Sequence, residues 1–158
     1  CPWATTGRVG GRKPNIITSL ELRSEEMEVI NLRIQKKYKE IEEKEVRFEE
    51  YLLEDAEYAI VAFGSAARIA KKSIEIARSQ GIKVGLLRPI TLWPFPTKEV
   101  QKLAGKVNGI LSLEINAGQM VEDIRLAVEG KVPVQHFGRL GGIIPDPDEV
   151  VDALKRLF

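Results

Sequence analysis

One cysteine, one histidine and 6% aromatic residues are all that this chain of 158 residues offers of the side chains that most often carry chemistry. Each scarcity excludes something. Cys1 has no partner for an internal disulfide and reads as an ordinary thiol, as suits a reducing cytosol. His136 has no cysteine, aspartate or second histidine at metal-ligand spacing, and no nucleophile stands with a histidine partner. No metal site is expected. Nor does either sign of charge dominate: 24 basic against 23 acidic residues leave +1, too little for a field that draws in nucleic acid or anionic lipid. No apolar run approaches the roughly 20 residues that span a bilayer, so no membrane partner is expected either.

What is present is a soluble, foldable composition, 44% hydrophobic and 30% charged, long enough to remove roughly 70% of its unfolded surface from water without a staple. Abundant Lys and Glu with frequent Ile resemble the drift of heat-adapted proteins. The start at Cys1-Pro2-Trp3, with no initiator methionine and no leader, reads as a piece of something longer.

A repeated junction organises the chain. Ala59 to Phe63 runs into Gly64-Ser65, Val84 to Arg88 into a Pro-rich turn, and Gly109 to Ile115 into Asn116-Ala117-Gly118, each followed by an amphipathic helix. Strand and helix must alternate in this way where crossover helices cover a parallel sheet. Ser65 and Thr97 are expected to cap the second and third helices, Gly118 to open the fourth, and Gly81 and Gly130 to end the second and fourth. A fifth strand is expected over Val132 to Phe137, and Asp146-Pro147 with Glu149 is a capping box for a last helix that docks through Val150, Val151, Leu154 and Phe158.

Before the sheet, residues 1–23 read as a connector in which Gly7, Gly10 and Gly11 are interleaved with Arg8, Arg12 and Lys13. Residues 24–45 follow as a helical arm, starting at Ser24 as cap. Met27, Ile30, Ile34, Tyr38 and Ile41 form a stripe that must lie against something, while Glu40 and Glu43 stand four residues before Lys44 and Arg47. Val46 to Leu53 reads as a half-wet edge strand, opening a domain over 46–158.

Five strands, the first edge-like, resemble the C-terminal domain of transketolase-like enzymes. That likeness implies a three-layer α/β/α fold with a five-stranded mixed sheet whose first strand is antiparallel. More specific are Trp3-Ala4-Thr5-Thr6-Gly7, Asn15 to Leu20 and Asn31-Leu32-Arg33, then Leu87 to Pro96, Glu114 to Met120 and Gly138-Arg139-Leu140-Gly141-Gly142. In this order they resemble the alpha subunit of 2-oxoacid:ferredoxin oxidoreductases of the 2-oxoglutarate, 2-oxoisovalerate or pyruvate type. The resemblance implies the second domain of such a subunit, within a cytoplasmic complex that converts a 2-oxoacid, coenzyme A and oxidised ferredoxin to an acyl-coenzyme A, carbon dioxide and reduced ferredoxin. It also implies that thiamine diphosphate, Mg2+ and iron-sulfur clusters are held by the N-terminal domain, the beta subunit and other subunits, not by these residues. Where some members carry an acidic or histidine-containing turn, this chain has Arg8 to Lys13, so the likeness does not imply which 2-oxoacid is used.

Candidate ligand or interface residues sit at strand ends, where open sheets bind. Gly64 and Ser65 could offer backbone N–H groups to an anion, or simply turn and cap. Glu114, Asn116, Gly118 and Gln119 could orient a polar group, or serve a turn or an interface. Arg88 and Arg139 favour pairing with another domain over phosphate binding. Trp93 and Phe95 are expected to bury against another domain or subunit, with packing over the sheet edge as the alternative. His136 reads as structural. No residue is assigned to catalysis, a cofactor or a metal; the expectation is an assembly-forming domain, against a stand-alone ligand module at the strand-end cleft or a scaffold that self-associates through the arm.

Overall fold

The computed structural model describes residues 6–157. Cys1, the Trp3-Ala4-Thr5 portion of the resembling run, and Phe158 lie outside the described residues. After a single 3-10 turn at Val9–Gly11 the elements are α1 (Ser24–Lys44), β1 (Phe48–Tyr51), β2 (Tyr58–Ala62), α2 (Gly64–Ser79) and β3 (Val84–Pro89). They continue as α3 (Thr97–Ala104), β4 (Gly109–Glu114), α4 (Met120–Val128), β5 (Val134–Gly138) and α5 (Pro147–Lys155). Two compact units result, one ending at Tyr38 and the other starting at Lys39.

In the first unit no described residue is buried. Met27, Ile30 and Ile34 are half-buried, while Ile16, Ile17, Leu20, Leu22, Val29 and Leu32 are exposed.

The second unit carries the sheet, in the order β1-β3-β2-β4-β5. β1 runs antiparallel to β3, with Phe48 opposite Pro89 and Tyr51 opposite Leu86; β3, β2, β4 and β5 are mutually parallel. Because side chains alternate between faces, β2 divides its residues: Ile60 and Ala62 join Leu86, Leu111 and Leu113 under α2 and α5, whereas Ala59 and Val61 join Leu87 and Ile110 under α3 and α4. Both faces are covered, which is why β2 reads as one continuous apolar run. This is the expected three-layer, mixed five-stranded architecture.

Local differences have local causes. β1 is shorter than Val46 to Leu53 because Leu52, with φ of 53°, turns the chain out of the ladder. β5 begins at Val134, after Pro133, which has no N–H to give to a ladder. Ser65 is not the cap of α2, nor Thr97 of α3: both lie inside their helices behind Phe63 and Pro96, and neither helix has a side-chain cap. The expected Glu43 to Arg47 pair does not form, since α1 ends at Lys44 and Arg47 bonds Glu45 at 3.1 Å; no ion pair joins Glu40 to Lys44. Gly81, at φ 84°, ends α2, with Ile82 N–H reaching Ala77 O. At the end of α4 the left-handed cap is Glu129, and Gly130 follows it with positive φ. The capping box of α5 is as expected: Asp148 N–H donates to Asp146, and Asp146 N–H to Glu149.

Candidate functional site

β2 is followed by α2 on one face and β4 by α4 on the other, so the crossovers diverge between two neighbouring strands. Such a switch point, outside the carboxyl ends of the strands, is where open sheets hold ligands. Gly64-Ser65 and Asn116–Gln119 stand on its two sides, and the end of β5 adjoins, with Glu114 opposite Gly138.

Glu114 dominates this end. Its side chain is fully buried, yet four donors reach it: Gln119 N–H at 3.0 Å and Met120 N–H at 2.9 Å on one oxygen, Val121 N–H at 3.0 Å and Ser112 Oγ at 2.8 Å on the other. Burial pushes this carboxyl up, but the Gln119, Met120, Ser112 and Val121 donors together outweigh it and hold it below the ordinary carboxylate range. A negative charge is thereby fixed at the N-terminus of α4, satisfying N–H groups that a helix start leaves orphaned. For this reason α4 begins at Met120 and not at Gly118. A carboxylate offers about four lone-pair sites, so none is left for a ligand or a proton transfer. Asn116 is similarly engaged, its Oδ1 accepting from Gly118 N–H at 2.7 Å, while the Gln119 side chain is exposed.

Sequence reasoning missed what lies beside Glu114. His136 Nε2 is 3.9 Å from Glu114 Oε1, too far for a hydrogen bond, and is buried without a partner. The ring fits because Gly138 has no side chain: a Cβ there would strike Asn116 O and come within 2.8 Å and 2.9 Å of the imidazole. Gly118 leaves room on another side. The only available signal was the pairing of Ser112 with His136 across β4 and β5, which presupposes the strand order.

Both arginines form ion pairs within the chain. Arg88 Nη1 meets Glu49 at 2.9 Å, and Lys71 Nζ meets the other Glu49 oxygen at 2.6 Å, tying β1, β3 and α2 together. The Lys71 hydrogen bond, then that of Arg88, holds the Glu49 carboxyl below its ordinary range. Arg139 Nη2 meets Glu149 of the α5 capping box at 2.6 Å.

A second feature is a groove of about 620 Å3 beside the loop after β3. Thr91 holds that loop, its Oγ1 donating to Pro94 O at 2.9 Å and accepting from Arg47 N–H at 3.0 Å; the Trp93-Pro94 peptide is cis. The two aromatics separate. Phe95 packs onto the α3/α4 side of the core and also borders the groove, whereas Trp93 remains 55% exposed and lines it with Val46 and Phe48. Glu42, Glu43, Lys98 and Glu99 form the polar lining. Among the described residues no group of three His, Cys, Asp or Glu side chains is arranged to hold a metal ion.

Residues 56–150 match the model of a family described as pyruvate:ferredoxin oxidoreductase core domain II. Over 155 residues the chain is 43% identical to ketoisovalerate oxidoreductase subunit VorB of Methanothermobacter thermautotrophicus, covering 98% of this chain and 44% of that protein. It is 30% identical over 101 residues to 2-oxoglutarate synthase subunit KorA of Methanothermobacter marburgensis, covering 64% of this chain and 27% of that protein. The chain thus spans less than half the length of these relatives. Among solved structures, 2-oxoglutarate:ferredoxin oxidoreductase from Magnetococcus marinus superposes with a TM-score of 0.70 at 16% identity, over 87% of this chain and 24% of that one. An inactive tetramer of a split-gene transketolase superposes at 0.59 with 15% identity, over 69% and 41% of the two chains. These two likenesses are likenesses of fold.

Proposed function

The chain belongs to the pyruvate:ferredoxin oxidoreductase core domain II family, and from that premise we propose that it is the C-terminal part of the alpha subunit of a 2-oxoacid:ferredoxin oxidoreductase. In this reading it supports assembly and carries no catalytic group. Residues 1–23 are the connector, 24–45 the arm and 46–158 the domain proper. The other domain of the subunit, a beta subunit and, for the whole complex, ferredoxin and coenzyme A are its partners, in the cytoplasm. Among the described residues no helix is long and apolar enough to cross a membrane.

The observation that carries the reading is the state of the switch point. Glu114, the one buried carboxylate among the described residues, has every acceptor site taken by the protein itself, so it helps hold α4 onto β4 and is not poised toward a substrate. The residues present do not fit the family's cofactors. An iron-sulfur cluster needs several thiolates and the chain has one cysteine; Mg2+ of a diphosphate needs free oxygen ligands, which Glu114 does not offer. Those groups belong, in this proposal, to other parts of the complex.

The test compares the chain alone with the chain coexpressed beside the remaining portion of the alpha subunit and the beta subunit. Expected are co-purification of all parts, 2-oxoacid- and coenzyme A-dependent reduction of ferredoxin by the assembly, and no turnover by the chain alone. Turnover by the isolated chain, or its failure to co-purify, overturns the proposal.

A further inference from the structure

The groove beside Trp93 carries more negative than positive charge. Glu42 and Glu43 have no ion pair among the described residues, Glu99 reaches only Lys102 at 3.5 Å, and Lys98 is the single cation of the lining. Its floor is apolar, with Trp93 and Phe48 both exposed. A fitting occupant therefore carries aliphatic side chains between positive charges and presents little bulk where it enters.

One segment of the chain has that composition. Arg8 and Lys13 are exposed and flank the turn at Val9–Gly11; Val9 is exposed, and Ile16 and Ile17 follow at 91% and 76% exposure. Gly10 and Gly11, both with φ of 67°, make the turn without side chains, and a Cβ at either would meet open space. None of the apolar side chains of this segment is spent on a core, in a unit with no buried residue among those described. Complementary charge with exposed apolar surface on both sides is the pattern of interfaces that are steered electrostatically and closed by apolar burial.

We infer that the acidic aromatic groove of one copy receives the basic connector, residues 6–18, of a second copy. This rests on the assembly reading above and names one surface through which assembly happens. Arg8 and Lys13 of the entering segment stand over Glu42 and Glu43, and Val9 lies toward Trp93.

The test uses the full chain. Light scattering across a concentration series should give a mass that rises toward twice that of the monomer, and added salt should lower it, because rim charges are screened. A fluorescein-labelled synthetic peptide of residues 6–18 should bind the chain saturably by anisotropy. Glu42→Lys with Glu43→Lys should weaken both readouts by about tenfold or more, as expected when attractive rim charges are reversed. Adding Arg8→Glu and Lys13→Glu to that variant should restore self-association, a result that damaged folding would not give. A concentration-independent monomer overturns the inference. So does a dimer indifferent to all four substitutions, and so does peptide binding with a monomeric chain, which assigns the groove to the chain's own connector. The outcome is separable from that of the coexpression test: co-assembly by a monomeric chain defeats the groove alone, and dimerisation without co-assembly defeats the proposed function alone.

Discussion

From Lys39 onward the chain buries leucines, isoleucines and valines on two faces of one sheet; up to Tyr38, among the described residues, it buries none. Leu111 and Leu32 make the contrast concrete. The first is fully buried in β4 under α2 and α5, and the second is 64% exposed on α1. Apolar residues of equal hydrophobicity are therefore doing different things. The buried ones of the second unit stabilise a fold, whereas those of the first stay in contact with water, and burial, not composition, separates the two.

The largest effect should come from truncating the core. Leu111→Ala removes a fully buried side chain in a close-packed layer and should cost about 2–5 kcal/mol, read as a lowered urea midpoint. A cost under a few tenths would break the contrast at once.

Glu114→Gln sharpens it by asking how much of the second unit is held by one charge. Replacing a carboxylate that accepts four hydrogen bonds with an amide bearing donors should cost about 3 kcal/mol, the order expected for hydrogen bonds to a charged group. The pH dependence has a definite sign. Folding lowers this carboxyl below its ordinary range, so its contribution is present above the unfolded value and is lost as pH falls through the folded one. Melting temperatures of wild type and Glu114→Gln should differ most at neutral pH and converge in acid. A constant gap would show that Glu114 contributes only by packing.

Gly138→Ala should have a smaller but local effect, about 1–3 kcal/mol, because the new methyl meets Asn116 O and the His136 ring in a filled space. The His136 imidazole resonances, followed by NMR, should move while those of residues around α3 stay in place. Smallest of all, Leu32→Ala should change chain stability by less than about 0.5 kcal/mol, as surface substitutions do. In the assembled complex the same change should weaken association, measured by co-purification; no loss there would leave the first unit's apolar surface without a purpose.

How much of this was legible depended on the range of the interaction. The capping box of Asp146 and Glu149 spans three residues and was readable letter by letter. The alternation of strands and helices, and the antiparallel first strand implied by the resemblance, also emerged intact. Legibility failed where the local sequence did not decide the hydrogen-bond partner. Ser65 and Thr97 look like caps, yet their helices are entered through Phe63 and Pro96. Glu114 was legible as a turn or interface residue, but its full burial with four donors on it was not. The pair of Arg88 with Glu49, 39 residues earlier, left no trace in the local sequence.

The sequence alone determined which segments extend and which coil, since apolar spacing and glycine placement act within a few residues and need no partner to be decided. Tertiary structure alone decided the order β1-β3-β2-β4-β5, and with it the approach of His136 to Glu114 and of Glu49 to Arg88. The physical reason is that strand order is a choice among crossovers whose local sequences are alike, made by the burial of both sheet faces together. Only after that choice do side chains far apart along the chain acquire neighbours.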